Sequence, residues 1–354
     1  MRPFHYSPLP AHVIFGFGTV ATLGDEVDRL GCARALVLTT PEQAKLADLA
    51  ESQLGAKCAG AFTQAQMHTP VEITEQALVH ARAVDADCLV AIGGGSTTGL
   101  SKALALRTDL PQVILPTTYA GSEATPILGE TTGGEKTTQR TFKVLPESII
   151  YDVDLTMTLP RRLSAVSGMN AIAHAVEALY AKEVNPVIAL LAQDGIRALA
   201  TALPVITDKP DEREARSDAL YGAWACGTCL GAVGMALHHK LCHVLGGSFN
   251  LPHAETHAIV LPHAAAYNRS SARQAMSLAA AALGAEDAPV GLFALNRALG
   301  IPLALKEIGM PADGIDKAVE LAMSSPYWNP RPIEKASLRE LLQNAYEGRA
   351  PAAA

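Results

Sequence analysis

Cys88-Leu-Val-Ala-Ile-Gly93-Gly-Gly-Ser-Thr-Thr-Gly-Leu-Ser-Lys102 decides the fold. Cys88 to Ile92 is an uncharged apolar run, read as a strand buried on both faces; Gly93 opens a turn, and Ser101 to Leu106 continues as a helix. The same texture extends on either side. Ala35-Leu-Val-Leu-Thr39 reads as a buried strand, Gln43 to Leu54 as a helix, Cys58 to Phe62 as a short strand and Val71 to Val84 as a helix. Gln112-Val-Ile-Leu115 is a third buried strand that enters Pro116-Thr-Thr-Tyr-Ala-Gly-Ser-Glu123. Strands alternating with crossover helices build a parallel sheet covered on both faces, a Rossmann-like α/β domain.

After about Leu155 the chain becomes rich in Ala and Leu at helical spacing, as in Val187 to Leu203 and Arg273 to Leu283. The expected organisation is an α/β dinucleotide-binding domain over 1–157 and an all-α catalytic domain over 158–354, with the boundary near Asp152 to Pro160. At about 150 residues per domain, a chain of 354 residues also divides into two. Hydrophobic residues make up 49% and charged residues 18%, with a net charge of -7, which disfavours nucleic acid and anionic membrane as partners. Ala219 to Leu237 is a 19-residue uncharged run, close to the length of a membrane span. Its many Gly and Ala point instead to helices packed closely inside protein, with Cys226 and Cys229 as core. The six Cys lack framework spacing, and the N-terminus Met1 to Tyr6 lacks a leader pattern, so a reducing, cytoplasmic setting is expected. The Ala-rich tail 350–354 is expected to fray.

The glycine turn follows a strand and opens a helix, where free backbone N–H groups face an anion and glycine lets a pyrophosphate approach. The second polar turn, at Thr117 and Thr118, ends the next strand. After the strand at 35–39, Thr39 and Thr40 stand where an acidic residue usually holds a ribose 2′-hydroxyl, so NADPH is expected beside NADH.

Six of the eleven histidines, His238, His239, His243, His253, His257 and His263, fall within 26 residues, where even spreading puts fewer than one. His239 and His243 are four apart on one helix, as are Asn170 and His174 on another, so each pair shares a face. His238 and His263 read as hydrogen-bonded core histidines; His239, His243 and His253 read as functional, either as metal ligands or as proton-transfer groups. A divalent ion usually wants an anionic ligand, and Asn170 is neutral.

With these motifs in place, the chain resembles the iron-containing (group III) alcohol dehydrogenase superfamily from end to end. Within it, Val13-Ile-Phe-Gly-Phe-Gly-Thr19, Gly-Gly-Gly-Ser-Thr-Thr-Gly and Tyr327-Trp-Asn-Pro-Arg-Pro332 resemble the family of maleylacetate reductases. The superfamily's cofactor turn normally carries Asp where this chain has Gly99, and its metal site uses Asp where this chain has Asn170. His174, His239 and His253 match the other metal-ligand positions, and His243 matches a further active-site histidine. The resemblance implies a cleft between two domains, with Gly93, Gly94, Gly95, Ser96 and Thr97 on the pyrophosphate. Thr117 and Thr118 would line the cofactor, with Thr40 beside it and Lys143 near a ribose. It also implies a homodimer and, with Asn170 in place of the carboxylate, no required metal.

The implied reaction is NAD(P)H-dependent reduction of the C=C bond of maleylacetate to 3-oxoadipate, in the breakdown of aromatic compounds. His243 and His253 would stabilise the enolate and deliver the proton, with His174, His239 and Asn170 completing a polar shell. Tyr119, Arg331 and His257 would contact the substrate. A metal-dependent alcohol or polyol dehydrogenase, a lyase using NAD transiently and a silent nucleotide-binding protein are the rivals.

Overall fold

The computed structural model describes Phe4 and residues 6–9, 11–133 and 135–353; Met1, Arg2, Pro3, His5, Pro10, Gly134 and Ala354 lie outside them. The chain divides into two compact units, residues 9–159 and, essentially, residues 160–354.

In the first unit β1 (His12–Gly16), α1 (Leu23–Arg29), β2 (Ala35–Leu38), α2 (Ala44–Leu54), β3 (Cys58–Phe62) and α3 (Val71–Ala83) come first. They are followed by β4 (Cys88–Gly93), α4 (Gly95–Thr108), β5 (Gln112–Pro116), β6 (Ile127–Thr132), β7 (Glu135–Arg140) and β8 (Ser148–Asp152). Six strands form one all-parallel sheet in the order β1-β8-β5-β4-β2-β3, and β6 pairs with β7 as an antiparallel hairpin. The strands anticipated around Leu36, Val90 and Ile114 are central, and their period of two feeds two cores. Val37, Val90, Ile92, Val113 and Leu115 pack with Leu23, Val27 and Ala50 on one face, while Leu36, Leu38, Leu89 and Ile114 pack with Leu78, Leu100 and Leu104 on the other. Burial on both faces explains the absence of polar alternation in these segments.

The second unit is helical: α5 (Arg161–Leu179), α6 (Pro186–Asp208), α7 (Arg213–Ala232), α8 (Leu237–Phe249), α9 (His253–Asn268), α10 (Arg273–Leu283), α11 (Ala288–Ala298), α12 (Gly314–Ser324) and α13 (Lys335–Glu347). The uncharged run at 219–237 breaks after Ala232, and α7 and α8 meet at 97°. Small residues bring α5, α6 and α7 together, as anticipated. A Cβ at Gly168 would lie 2.6 Å from Leu203 Cδ1, and one at Gly222 would lie 2.8 Å from Leu199 Cγ, so only glycine permits these approaches. Cys226 and Cys229 are fully buried beside them. In the tail, the carbonyl of Ala352 accepts a hydrogen bond from Arg269 Nη1 at 3.0 Å.

Candidate active site

The glycine turn of the first unit is built for a ligand that approaches backbone. Gly93 closes β4 with φ +155°, and a side chain there would overlap Thr97; Gly94 then caps α4 in extended conformation. A Cβ at Gly94 would meet Thr118 Cγ2 at 3.0 Å, so this turn and the one after β5 touch. Thr117 N donates to Gly93 O at 3.0 Å, and Gln43 Nε2 donates to Thr117 Oγ1 at 3.1 Å, locking the two turns in register. Thr97 N and Thr98 N donate to Gly94 O, each at 3.1 Å, and Thr97 Oγ1 is buried with no partner. Gly99 is matched to its surroundings: a Cβ there would collide with the hydroxyl of Thr69, whose own φ is +49°. An Asp at 99 therefore cannot coexist with Thr69 as it stands.

The other residues assigned to this turn fall in varied settings. Thr40 precedes the single turn at Pro41–Gln43. Lys143 is exposed and lies 3.6 Å from Asp109. Tyr119 is fully buried.

In the second unit, helical spacing gathers the remaining residues. Asn170, His174 and Glu177 occupy one face of α5, at i, i+4 and i+7, and all three are buried. His174 Nδ1 lies 2.9 Å from His239 Nε2, and the other nitrogen of His239, Nδ1, donates to Glu177 Oε2 at 2.7 Å. Glu177 also accepts the backbone N–H of Ala236 at 2.9 Å and of His238 at 2.8 Å, which satisfies the start of α8. Because Nδ1 of His239 carries the proton that it donates to Glu177, its Nε2 keeps its lone pair facing His174.

His257 sits among the imidazoles: its ring centre is 4.4 Å from that of His253, 4.9 Å from His238 and 5.0 Å from His239. Its Nδ1 faces His238 Nε2 at 3.1 Å, and its Nε2 is buried without a partner. Burial first, and neighbouring imidazoles second, push the pKa values of His257 and His238 well below the usual histidine range, so both are neutral at pH 7. His243 is only partly buried, and its Nδ1 lies 3.1 Å from the hydroxyl of Tyr327. Burial raises the pKa of that phenol, with the charge of Glu177 adding to the effect, so it remains an O–H donor. Asn170 Oδ1 is buried with no partner.

The structure thus brings Asn170, His174, His239, His253 and His257 into one region and sets His243 at its edge beside Tyr327. Arg331 is elsewhere: its guanidinium donates to Tyr267 O and Ser337 Oγ, in a cavity that shares no lining residue with these groups. Sequence reading missed Glu177 and Tyr327 as site residues. Glu177 stands three residues after His174, on the same face of a helix whose only other charges are Arg161 and Arg162 at its start, and that spacing was the available signal.

Comparison with known proteins agrees with this architecture. The family of iron-containing alcohol dehydrogenases matches residues 10–153, and the C-terminal domain of the Fe-containing alcohol dehydrogenase family matches residues 164–346. The chain is similar to maleylacetate reductase of Rhizobium sp. (strain MTP-10005), 52% identical over 99% of this chain and 100% of that one. It is also similar to maleylacetate reductase of Sphingobium indicum, 54% identical over 98% and 99% of the two chains. The crystal structure of maleylacetate reductase from Agrobacterium tumefaciens aligns with a TM-score of 0.96 at 54% identity, over 99% of this chain and 100% of that one.

These matches correct one expectation, that no metal is required: both halves of the chain fall in a family named for its iron. The residues fit such an ion. Asn170 offers a buried, unpartnered oxygen, and His174 and His239 turn nitrogens toward each other at 2.9 Å. Glu177 behind His239 supplies the anionic charge that Asn170 lacks, in the carboxylate–histidine arrangement common behind metal ligands. On fold, on both halves of the sequence and on the chemistry of this site, the chain belongs to the iron-containing alcohol dehydrogenase family.

Proposed function

We propose that the chain reduces the C=C bond of maleylacetate with NADH or NADPH, forming 3-oxoadipate in the breakdown of aromatic compounds. The observation that carries this reading is the full-length match to maleylacetate reductases, at 52% and 54% identity. The imidazole-rich region of the second unit supplies groups suited to an enolate. The glycine turn of the first unit, with Gly93, Gly94, Gly95, Ser96 and Thr97, is assigned the pyrophosphate. Thr117, Thr118 and Thr40 are assigned the remainder of the dinucleotide, and Lys143 a ribose. With Thr39 and Thr40 after β2, no carboxylate repels a 2′-phosphate there, which supports use of both nucleotides.

Asn170, His174, His239 and His253 would hold the metal ion, which when bound supplies Lewis-acid polarisation of a ketone oxygen. Hydride added to the alkene carbon β to that ketone leaves an enolate, and a proton added at the α carbon completes the reduction. His243, oriented by Tyr327, is assigned the proton. His257 and Tyr119 are assigned substrate contacts. Exclusion of water favours these transfers, and the burial of Asn170, His174, His239 and His257 supports it.

The chain is further proposed to be a cytoplasmic homodimer. Six free cysteines support the first point. The position of β1 at the end of the sheet order supports the second, since it leaves one side of that strand without a sheet partner among the described residues.

The deciding experiment follows NADH and NADPH oxidation with maleylacetate, alongside identification of the product and metal analysis of the same sample. One nucleotide oxidised per 3-oxoadipate formed is the expected result. Turnover of simple alcohols with none of maleylacetate would overturn the reading.

A further inference from the structure

Apart from the histidine group, the second unit contains a cavity of about 370 Å³ walled by α9, α13 and the segment Arg349–Ala352. Three guanidinium groups line it, Arg269, Arg331 and Arg349, against the single carboxylate of Glu340. Two of the three are already neutralised. Arg269 pairs with Asp287 at 2.8 Å, and Arg349 pairs with Glu347. Arg331 has no carboxylate partner among the described residues. Its Nη1 donates to Tyr267 O at 3.1 Å, its Nη2 donates to Ser337 Oγ at 3.3 Å, and its carbon lies 4.1 Å from the centre of the Tyr267 ring. These contacts fix the plane of the group, yet leave most of its five N–H donors unspent.

A second observation points to a ligand in the same place. His263 is 5% exposed, lines this cavity, and its Nε2 is buried without a partner. Burial pushes its pKa down to about 4, so at neutral pH it is an uncharged imidazole that can hydrogen-bond an anion without an accompanying ion pair. A planar, fixed guanidinium with a neighbouring hydroxyl matches a carboxylate. The volume lies within the range of small-molecule sites and far exceeds a single compact ion.

We propose that this cavity is a second ligand site, separate from the reacting group, that binds an elongated carboxylate. The carboxylate sits on Arg331 beside Ser337, and the chain of the ligand runs along the cavity past His263. The site is independent of the reaction assigned above, since it shares no residue with the imidazole region.

Isothermal titration of the intact protein with adipate as the probe tests this, with inorganic phosphate as a compact anion. Arg331→Met and Ser337→Glu should each weaken adipate about tenfold or more, and phosphate should bind at least about tenfold more weakly than adipate. His243→Ala should leave adipate affinity within about twofold. Ser337 is partly exposed on α13, so its variant keeps the test decisive if Arg331→Met fails to fold. Adipate affinity that survives both cavity variants, is lost in His243→Ala, or is equalled by phosphate overturns the proposal.

Discussion

Glu177 Oε2 lies 2.7 Å from His239 Nδ1, and neither side chain has appreciable contact with solvent. One buried carboxylate therefore both begins α8 and fixes which nitrogen of His239 faces His174. Glu177→Gln keeps the shape but replaces one acceptor oxygen with a donor. Bound metal and kcat/KM should each fall about 10- to 100-fold. Loss of one of the bonds to Ala236 and His238 should cost about 1–3 kcal/mol in a denaturant titration. A variant with wild-type metal content and rate would remove Glu177 from this positioning role.

Asn170 Oδ1 is the buried donor where a carboxylate is expected for the family. Asn170→Asp should retain a divalent ion against chelator about tenfold longer than wild type, and Asn170→Ala should lose it faster. Metal analysis after timed dialysis reads both. Identical retention in all three proteins would count against Asn170 as a ligand.

Gly99 on α4 and Thr69, just before α3, form a size-matched pair. Gly99→Ala should destabilise the first unit by about 1–3 kcal/mol, the usual effect of overpacking. Nucleotide binding, read by NADH fluorescence, should weaken with it. Thr69→Gly in the same chain removes the clash and suits the positive φ at 69, so it should restore most of both. Additive losses in the double variant would show that the two positions do not interact.

His263 sets a pH limit on stability. Its folded pKa, lowered by burial to about 4, lies below the ordinary histidine value of 6.5, so the unfolded chain binds the proton first as pH falls. The stabilisation is complete above pH 6.5 and is lost progressively down to about pH 4, with a total of roughly 3 kcal/mol. Melting temperature should therefore drop across this window, and more gently in His263→Asn. Superimposable pH profiles would exclude His263 as the cause.

Legibility in the sequence followed burial. Leu36, Val90 and Ile114 announced their strands because a central parallel strand is apolar on both faces. The β6–β7 hairpin gave no comparable signal, since Thr137, Thr138, Gln139 and Arg140 are exposed and polar. In the site, i, i+4 spacing linked Asn170 to His174 and His239 to His243. No local pattern could place Tyr327 beside His243, because 84 residues separate them and only tertiary packing joins them. Arg331 shows the opposite case: as an isolated cation near an aromatic motif it read as a substrate anchor, while its stacking on Tyr267 sets it in a different cavity.

Every residue from Ser164 to Leu179 in α5 is buried, with α6 and α7 drawn close by glycine contacts. Amide protons along this helix have no shallow route to solvent, and their exchange should require opening of the whole helical unit. Asn170, His174 and Glu177 are carried on that slowest-exchanging segment. The site should therefore persist intact through local fluctuations and disappear only with cooperative unfolding, so that inactivation and global melting share one midpoint.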